Sequence, residues 1–234
     1  TEAYQAIDAI EKGQSFLAQL RTRNFVRTTE SDDGDTIIES YHDRIRESVV
    51  EHLNKPAIQG YCLNLALTIE KVSRLNVEDL RAHIAKTADF EEPTEPYKLE
   101  KRQWQRVFDL AYFFDAAGEH ERAFPFALCA AEQARKQDAQ EVAEQQFRIA
   151  LRGTKRASAA LRLRVQEGLG DVLVVRAKYD QANKHFQEAR ALAKDNLLLA
   201  RLDGKLGASA YKKGDMGDAK NYLEQALTAI GEKP

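Results

Sequence analysis

One pattern of small and bulky residues recurs three times in the C-terminal half of the chain, with copies that start 39 and 37 residues apart. The copies are Ala143–Phe147–Ala150, Ala182–Phe186–Ala189 and Ala219–Leu223–Ala226. Alanines at i and i+7 lie on one helix face and let neighbouring helices approach closely, while the bulky residue fills the gap between them. The spacing therefore predicts an all-α array of helix hairpins, a helical solenoid, in this half of the chain.

Charge divides the chain into two unlike parts. Residues 1–96 hold 11 Lys and Arg against 18 Asp and Glu, whereas residues 97–234 hold 24 against 19. The front part is therefore net −7 and the repeat part net +5, which favours contact between the two or with charged neighbours. Cys62 and Cys129 form neither a disulfide framework nor a zinc spacing, and no apolar run reaches the ~20 residues of a membrane span. A cytoplasmic setting without membrane contact is expected.

The front of the chain carries the strongest strand signal. A helix predicted over 3–21 is followed by a hairpin over 24–41, whose turn is Ser31–Asp35. Asp43 is placed to cap the next helix, which carries an apolar stripe. Helix, hairpin and helix in this order are typical of the end of a winged-helix domain, with the hairpin as the wing. We therefore predict a winged-helix-like segment over residues 1–53.

The middle of the chain is predicted to be a connector, and the rest to be repeats. The sequence of residues 54–96 predicts two helices followed by an acidic, proline-containing linker over 89–96. From residue 97 to 234, apolar periodicity predicts helices joined by short turns, with Gly118 and Gly214 at positions suited to left-handed helix caps. This part is predicted to hold about three helix pairs and a leading helix.

The repeats resemble the tetratricopeptide repeat. Leu169-Gly170 and Leu206-Gly207 each stand twelve residues before the alanine of the next motif copy, as in that family. The resemblance covers 162–194 and 199–231 well, and it implies a right-handed α-α superhelix whose groove binds a protein or peptide. The family's register places these residues on the groove: Arg164, Glu167, Asp171, Arg201, Lys205, Tyr211 and Lys212. An acidic segment is the expected ligand for the four cations, with Val174 and Val175 as apolar contacts, and linker 89–96 is one candidate in cis.

A second resemblance concerns the front segment and the start of the repeats. The run Tyr41–Val50 after a hairpin, and the run Asp109–Ala123, are similar to large bacterial signalling ATPases of the STAND class. In these proteins a winged helix joins a nucleotide-binding module to tetratricopeptide-like repeats, often with a fused serine/threonine protein kinase. The resemblance implies a regulatory segment, with His42, Asp43 and Arg44 in an interdomain contact and the parent's other domains as partners.

No chemistry-bearing motif accompanies these resemblances. The sequence has no Gly-Lys-Thr/Ser phosphate loop and no protein-kinase signature, and its five histidines are scattered. Residues 1–53 carry 6 Lys and Arg against 11 Asp and Glu, a balance that repels nucleic acid. We therefore expect no catalytic residue, cofactor, metal or nucleic-acid partner. Two alternatives stay open: a region of a kinase or ATPase with catalytic domains elsewhere, and part of a transcriptional regulator.

Overall fold

The computed structural model describes residues 10–30, 36–73, 75–87 and 97–233, which form an all-α fold with one small β-hairpin. By packing, the described residues fall into two compact units. One unit holds the residues up to 73 together with 116–119, and the other holds 75–115 and 120–233. None of the helices in the described part of the chain combines the length and apolar character needed to cross a membrane.

The first described helix of the first unit is α1 (Ile10–Thr22), and Asn24, two residues after its end, has a left-handed conformation with φ of 57°. The amide of Phe25 donates to the carbonyl of Leu20, which closes the helix end and turns the chain into the hairpin. The antiparallel strands are β1 (Val26–Glu30) and β2 (Thr36–Ser40). The hairpin predicted from sequence is therefore confirmed, while its predicted turn over 31–35 lies outside the described residues.

Two further helices complete the first unit: α2 (Asp43–His52) and α3 (Lys55–Val72). Asp43 was predicted to cap α2, and in the structure it is the first helical residue, 3.9 Å from Arg46. The start of α3 is capped by Asn54, whose side chain accepts from the amide of Ala57 at 2.9 Å.

The second unit starts with α4 (Val77–Lys86) and α5 (Lys101–Ala116), and the predicted linker 89–96 between them lies outside the described residues. Three antiparallel helix hairpins follow. The first pairs α6 (His120–Lys136) with α7 (Gln140–Arg152), the second α8 (Ala159–Val175) with α9 (Tyr179–Ala191), and the third α10 (Asn196–Lys213) with α11 (Met216–Ala229). A short 3₁₀ turn, Thr154–Arg156, leads from α7 into α8. The helical array predicted from the alanine spacing is confirmed.

The turn inside each hairpin repeats the same backbone conformation. Asp138, Ala177 and Gly214 have φ of 59°, 56° and 92°, and they stand 39 and 37 residues apart. In each turn the next amide donates to the carbonyl five residues earlier, at 2.8–2.9 Å. The hairpins are thus structural copies even where the sequence differs, and the left-handed conformation predicted at Gly118 and Gly214 is confirmed.

The repeated alanines and aromatics form the core of the second unit. In the first two copies of the motif the alanines are fully buried and the phenylalanines, Phe147 and Phe186, are 1% exposed. A Cβ built on Gly170 would lie 2.6 Å from Cδ1 of Phe186 and closer still to Cε1, so the glycine permits the close crossing of α8 and α9. The third copy differs. Its central residue, Leu223, is 45% exposed, because the described residues include no helix after α11 to cover it as α8 and α10 cover the two phenylalanines.

Candidate functional site

The residues predicted to line a binding groove lie on the first helices of the hairpins, which form what we call the first-helix face of α6, α8 and α10. Arg164, Glu167 and Asp171 are in α8, and four others follow in α10. The sequence predicted that these residues line a groove and that its cations bind an acidic segment. In the structure most of these charges instead bind one another across neighbouring helices.

Arg164 of α8 joins two other helices. Its Nε and Nη2 donate to the two carboxylate oxygens of Glu132 in α6, at 2.6 and 2.8 Å. Its Nη1 donates to the backbone carbonyl and the hydroxyl of Thr87 at the end of α4, at 2.8 and 3.0 Å. The residue is 7% exposed, and paired, bidentate geometry of this kind is what a buried guanidinium requires.

A second group of ion pairs joins α8 to α10. Glu167 accepts from Arg201 at 2.8 Å and lies 2.8 Å from the Lys205 ammonium. The same ammonium donates to Asp171 at 2.7 Å, and Arg135 of α6 lies 3.3 Å from that carboxylate. Charges of alternating sign therefore run across three consecutive first helices and hold them in register.

Burial and pairing act in opposite directions on Asp171. Removal of its carboxylate from water raises its pKa, and the attraction of Lys205 offsets this in part. Its net pKa is raised. A raised pKa means that folding disfavours the ionised carboxylate of Asp171. Its ion pairs therefore fix how the helices align more than they stabilise the fold.

Helix α4 occupies the start of the first-helix face. It packs on α6 with Leu80 and Ile84, each 3% exposed, while Arg164 binds the carbonyl at its C-terminal end. A cation at a helix C-terminus stabilises the last carbonyls and the helix dipole. The sequence reasoning assigned α4 to a connector and missed this contact. The i, i+4 spacing of Leu80 and Ile84 is the signal that could have indicated a docked helix.

The far end of the same face is uncovered. On α10, Tyr211 is 63% exposed and Lys212 beside it is exposed too. On α8, Val175 is 62% exposed, and it stands one repeat of 37 residues before Lys212. Val174, the other predicted apolar contact, is half-buried. The predicted set is thus divided into charges that are already paired and a smaller group that remains open to solvent.

The residues predicted for an interdomain contact lie at the start of α2. His42, Asp43 and Arg44 are all exposed, and the rings of Tyr41 and His42 are 6.2 Å apart. Their role in an interdomain contact stays a prediction. Within the described ranges, no three side chains of His, Cys, Asp or Glu converge as ligands for a metal ion.

Comparison with known proteins adds little to this picture. The chain matches no protein-family model and no curated protein. Among solved structures, the crystal structure of BtubC (BKLC) from P. vanneervenii is similar over 99% of this chain and 91% of that one, with 18% sequence identity and a TM-score of 0.41. At this score the likeness carries no argument about function.

Proposed function

We propose that this chain is a non-catalytic protein-interaction segment whose first-helix face binds polypeptide. The observation that carries the proposal is helix α4, a ten-residue segment held on that face by apolar side chains and by Arg164 on its terminal carbonyl. A face that binds a short helix of its own chain has the chemistry to bind one from a partner.

The uncovered end of the face is where a partner is proposed to bind. Tyr211 offers a large amphipathic ring, Val175 an exposed aliphatic group, and Lys212 a cation for an acidic residue of the partner. Tyrosine is among the residues that most often dominate the binding energy of interfaces. We therefore propose that the apolar contact supplies most of the binding energy and that the charge of Lys212 adds a smaller part.

The wider setting is proposed from the sequence resemblances. We propose that the three helix hairpins are tetratricopeptide-like repeats. We also propose that the β-hairpin and α2 are the end of a winged helix. The chain would then be a regulatory segment of a cytoplasmic signalling ATPase. In that setting partner binding would shift the parent protein between resting and active states. The enzyme and transcription-factor alternatives stay open.

Site-specific photocrosslinking tests the proposal. A benzophenone amino acid is placed at Tyr211, and at Lys184 of α9 as a matched control, because both side chains are exposed. In native cytoplasm, irradiation should yield a discrete adduct with one polypeptide from position 211 and none from position 184. The adduct should be lost on addition of excess unlabelled chain and kept on addition of an equal excess of an unrelated helical protein. Equal adducts from both positions, or none from 211, would refute this assignment of the binding face.

A further inference from the structure

A cavity of about 320 Å³ lies beside α4 in the second unit, between α4, the start of α6 and the segment that leads into α8. Small-molecule sites commonly measure about 300–1,000 Å³, so this one has the size for a small ligand. The cavity is separate from the uncovered end of the first-helix face described above, because none of its lining residues belongs to α10.

The floor of the cavity is apolar. Ile84 comes from α4, Phe124 and Pro125 from α6, and Leu161 from the first turn of α8. Ile84, Phe124 and Pro125 are buried, and Leu161 is half-buried. A surface of this kind favours the binding of an aliphatic or aromatic group, because that group is transferred out of water when it covers the surface.

Three features bring positive charge to the rim of the cavity: two arginines and a helix N-terminus. Arg81 of α4 is exposed and has no ion-pair partner within the part of the chain that the structure describes. Arg156 also lines the cavity, 3.2 Å from Glu121, and its side chain is 83% exposed. Helix α8 begins at the cavity wall with Ser158 as its N-cap, which adds the positive end of a seventeen-residue helix.

An apolar floor under a cationic rim defines one class of ligand. We propose that this cavity binds a small apolar carboxylic acid, with its hydrocarbon part on Ile84, Phe124 and Leu161 and its carboxylate between Arg81 and Arg156. Among the described residues that line the cavity, Glu121 is the one carboxylate, and it neutralises part of Arg156, which leaves a net positive charge in this set for a monoanion. Because the ligand would contact both α4 and α6, its binding would also stabilise α4 on the first-helix face.

Three probes of equal chain length separate charge from hydrophobicity: octanoate, octan-1-ol and octylamine. Each is titrated into the full chain and followed by amide NMR. Octanoate should bind saturably with a dissociation constant near ~1 mM or tighter, with shifts confined to residues around the cavity such as Gly153 and Leu161. The alcohol and the amine should bind at least about fivefold more weakly.

Two kinds of variant test the location. Ala85→Phe fills the cavity from the exposed side of α4 and should abolish octanoate binding, whereas Ala191→Phe, at an exposed site at the end of α9, should not. The double reversal Arg81→Glu with Arg156→Glu should weaken octanoate about tenfold, and Lys184→Glu should leave it unchanged. Thermal melting of each variant checks that it is folded.

Each outcome of these titrations either supports the proposed carboxylic-acid site or overturns it. Loss of binding in Ala85→Phe, together with the preference for octanoate, supports the assignment. Equal binding of octylamine, or binding that survives Ala85→Phe, overturns it, as does the absence of saturable binding by octanoate, phenylacetate and decanoate alike. An acetylated heptapeptide ending in leucine that binds more than about tenfold tighter than octanoate would assign the cavity to a polypeptide instead.

Discussion

The replacement Gly170→Ala should destabilise the protein, although alanine is ordinarily the better helix former. The new Cβ would lie 2.6 Å from Cδ1 of Phe186, and Cε1 would be closer still. Phe186 is 1% exposed, so its ring has no solvent into which to move. Overpacking of this kind costs about 1–3 kcal/mol, against a gain of about 1 kcal/mol from helix propensity. The expected net result is a loss of up to about 2 kcal/mol.

Gly204→Ala is the matched control, because Gly204 is also inside a helix and a Cβ there would meet no atom within 4 Å. That change should be neutral or stabilise the chain by up to about 1 kcal/mol. Melting followed by circular dichroism should therefore show a lower melting temperature for Gly170→Ala than for Gly204→Ala, by about 2–4 °C for each kcal/mol that separates them. Adding Phe186→Leu to Gly170→Ala should recover part of the loss. Equal shifts for the two glycine variants would refute the crossing of α8 and α9 described here.

Two further predictions concern the hairpin turns and the ion pairs. Ala177→Gly should raise the unfolding free energy by about 1 kcal/mol, because φ there is 56°, and Gly214→Ala at the equivalent turn should lower it by a similar amount in the same urea titration. Glu144 is 6% exposed; burial acts to raise its pKa, but hydrogen bonds from Lys178 and Arg148 prevail and the pKa is lowered. Its contribution to stability is therefore complete above the ordinary glutamate pKa and is lost as pH falls through the lowered value. Glu144→Gln should cost about 1–3 kcal/mol at pH 7, and the difference from the parent chain should shrink in acid, whereas a constant difference would contradict this account.

Core positions of the repeats could be predicted from sequence because their signal is local. Ala182, Phe186 and Ala189 are spaced so that one helix face carries all three, and that face must be buried whatever the rest of the chain does. Leu223 shows the limit of the inference. Its motif is intact, yet burial depends on a following helix, and the described residues contain none.

The ion pairs of the first-helix face were harder to predict, because an outward position on one helix does not tell whether a neighbouring helix supplies the counter-charge. Their spacing does contain a signal. Arg201 stands 34 residues after Glu167, and Lys205 stands 34 after Asp171, close to one repeat. Arg164 stands 32 after Glu132. Opposite charges one repeat apart indicate pairing between first helices, and the docking of α4 could not be read from that spacing because α4 lies outside the repeats.

These pairings change which ligand the first-helix face can accept. A carboxylate that displaced Glu167 from Arg201 and Lys205 would leave a buried anion without partners, at a cost of several kcal/mol. A carboxylate that met the exposed Lys212 would gain about 0.2–1 kcal/mol and displace nothing. An acidic partner is therefore not selected by the cations of the paired group, because their charge is already met by the carboxylates of neighbouring helices. Recognition at this face must be led by apolar contact with Tyr211 and Val175, and it follows that binding should depend only weakly on salt.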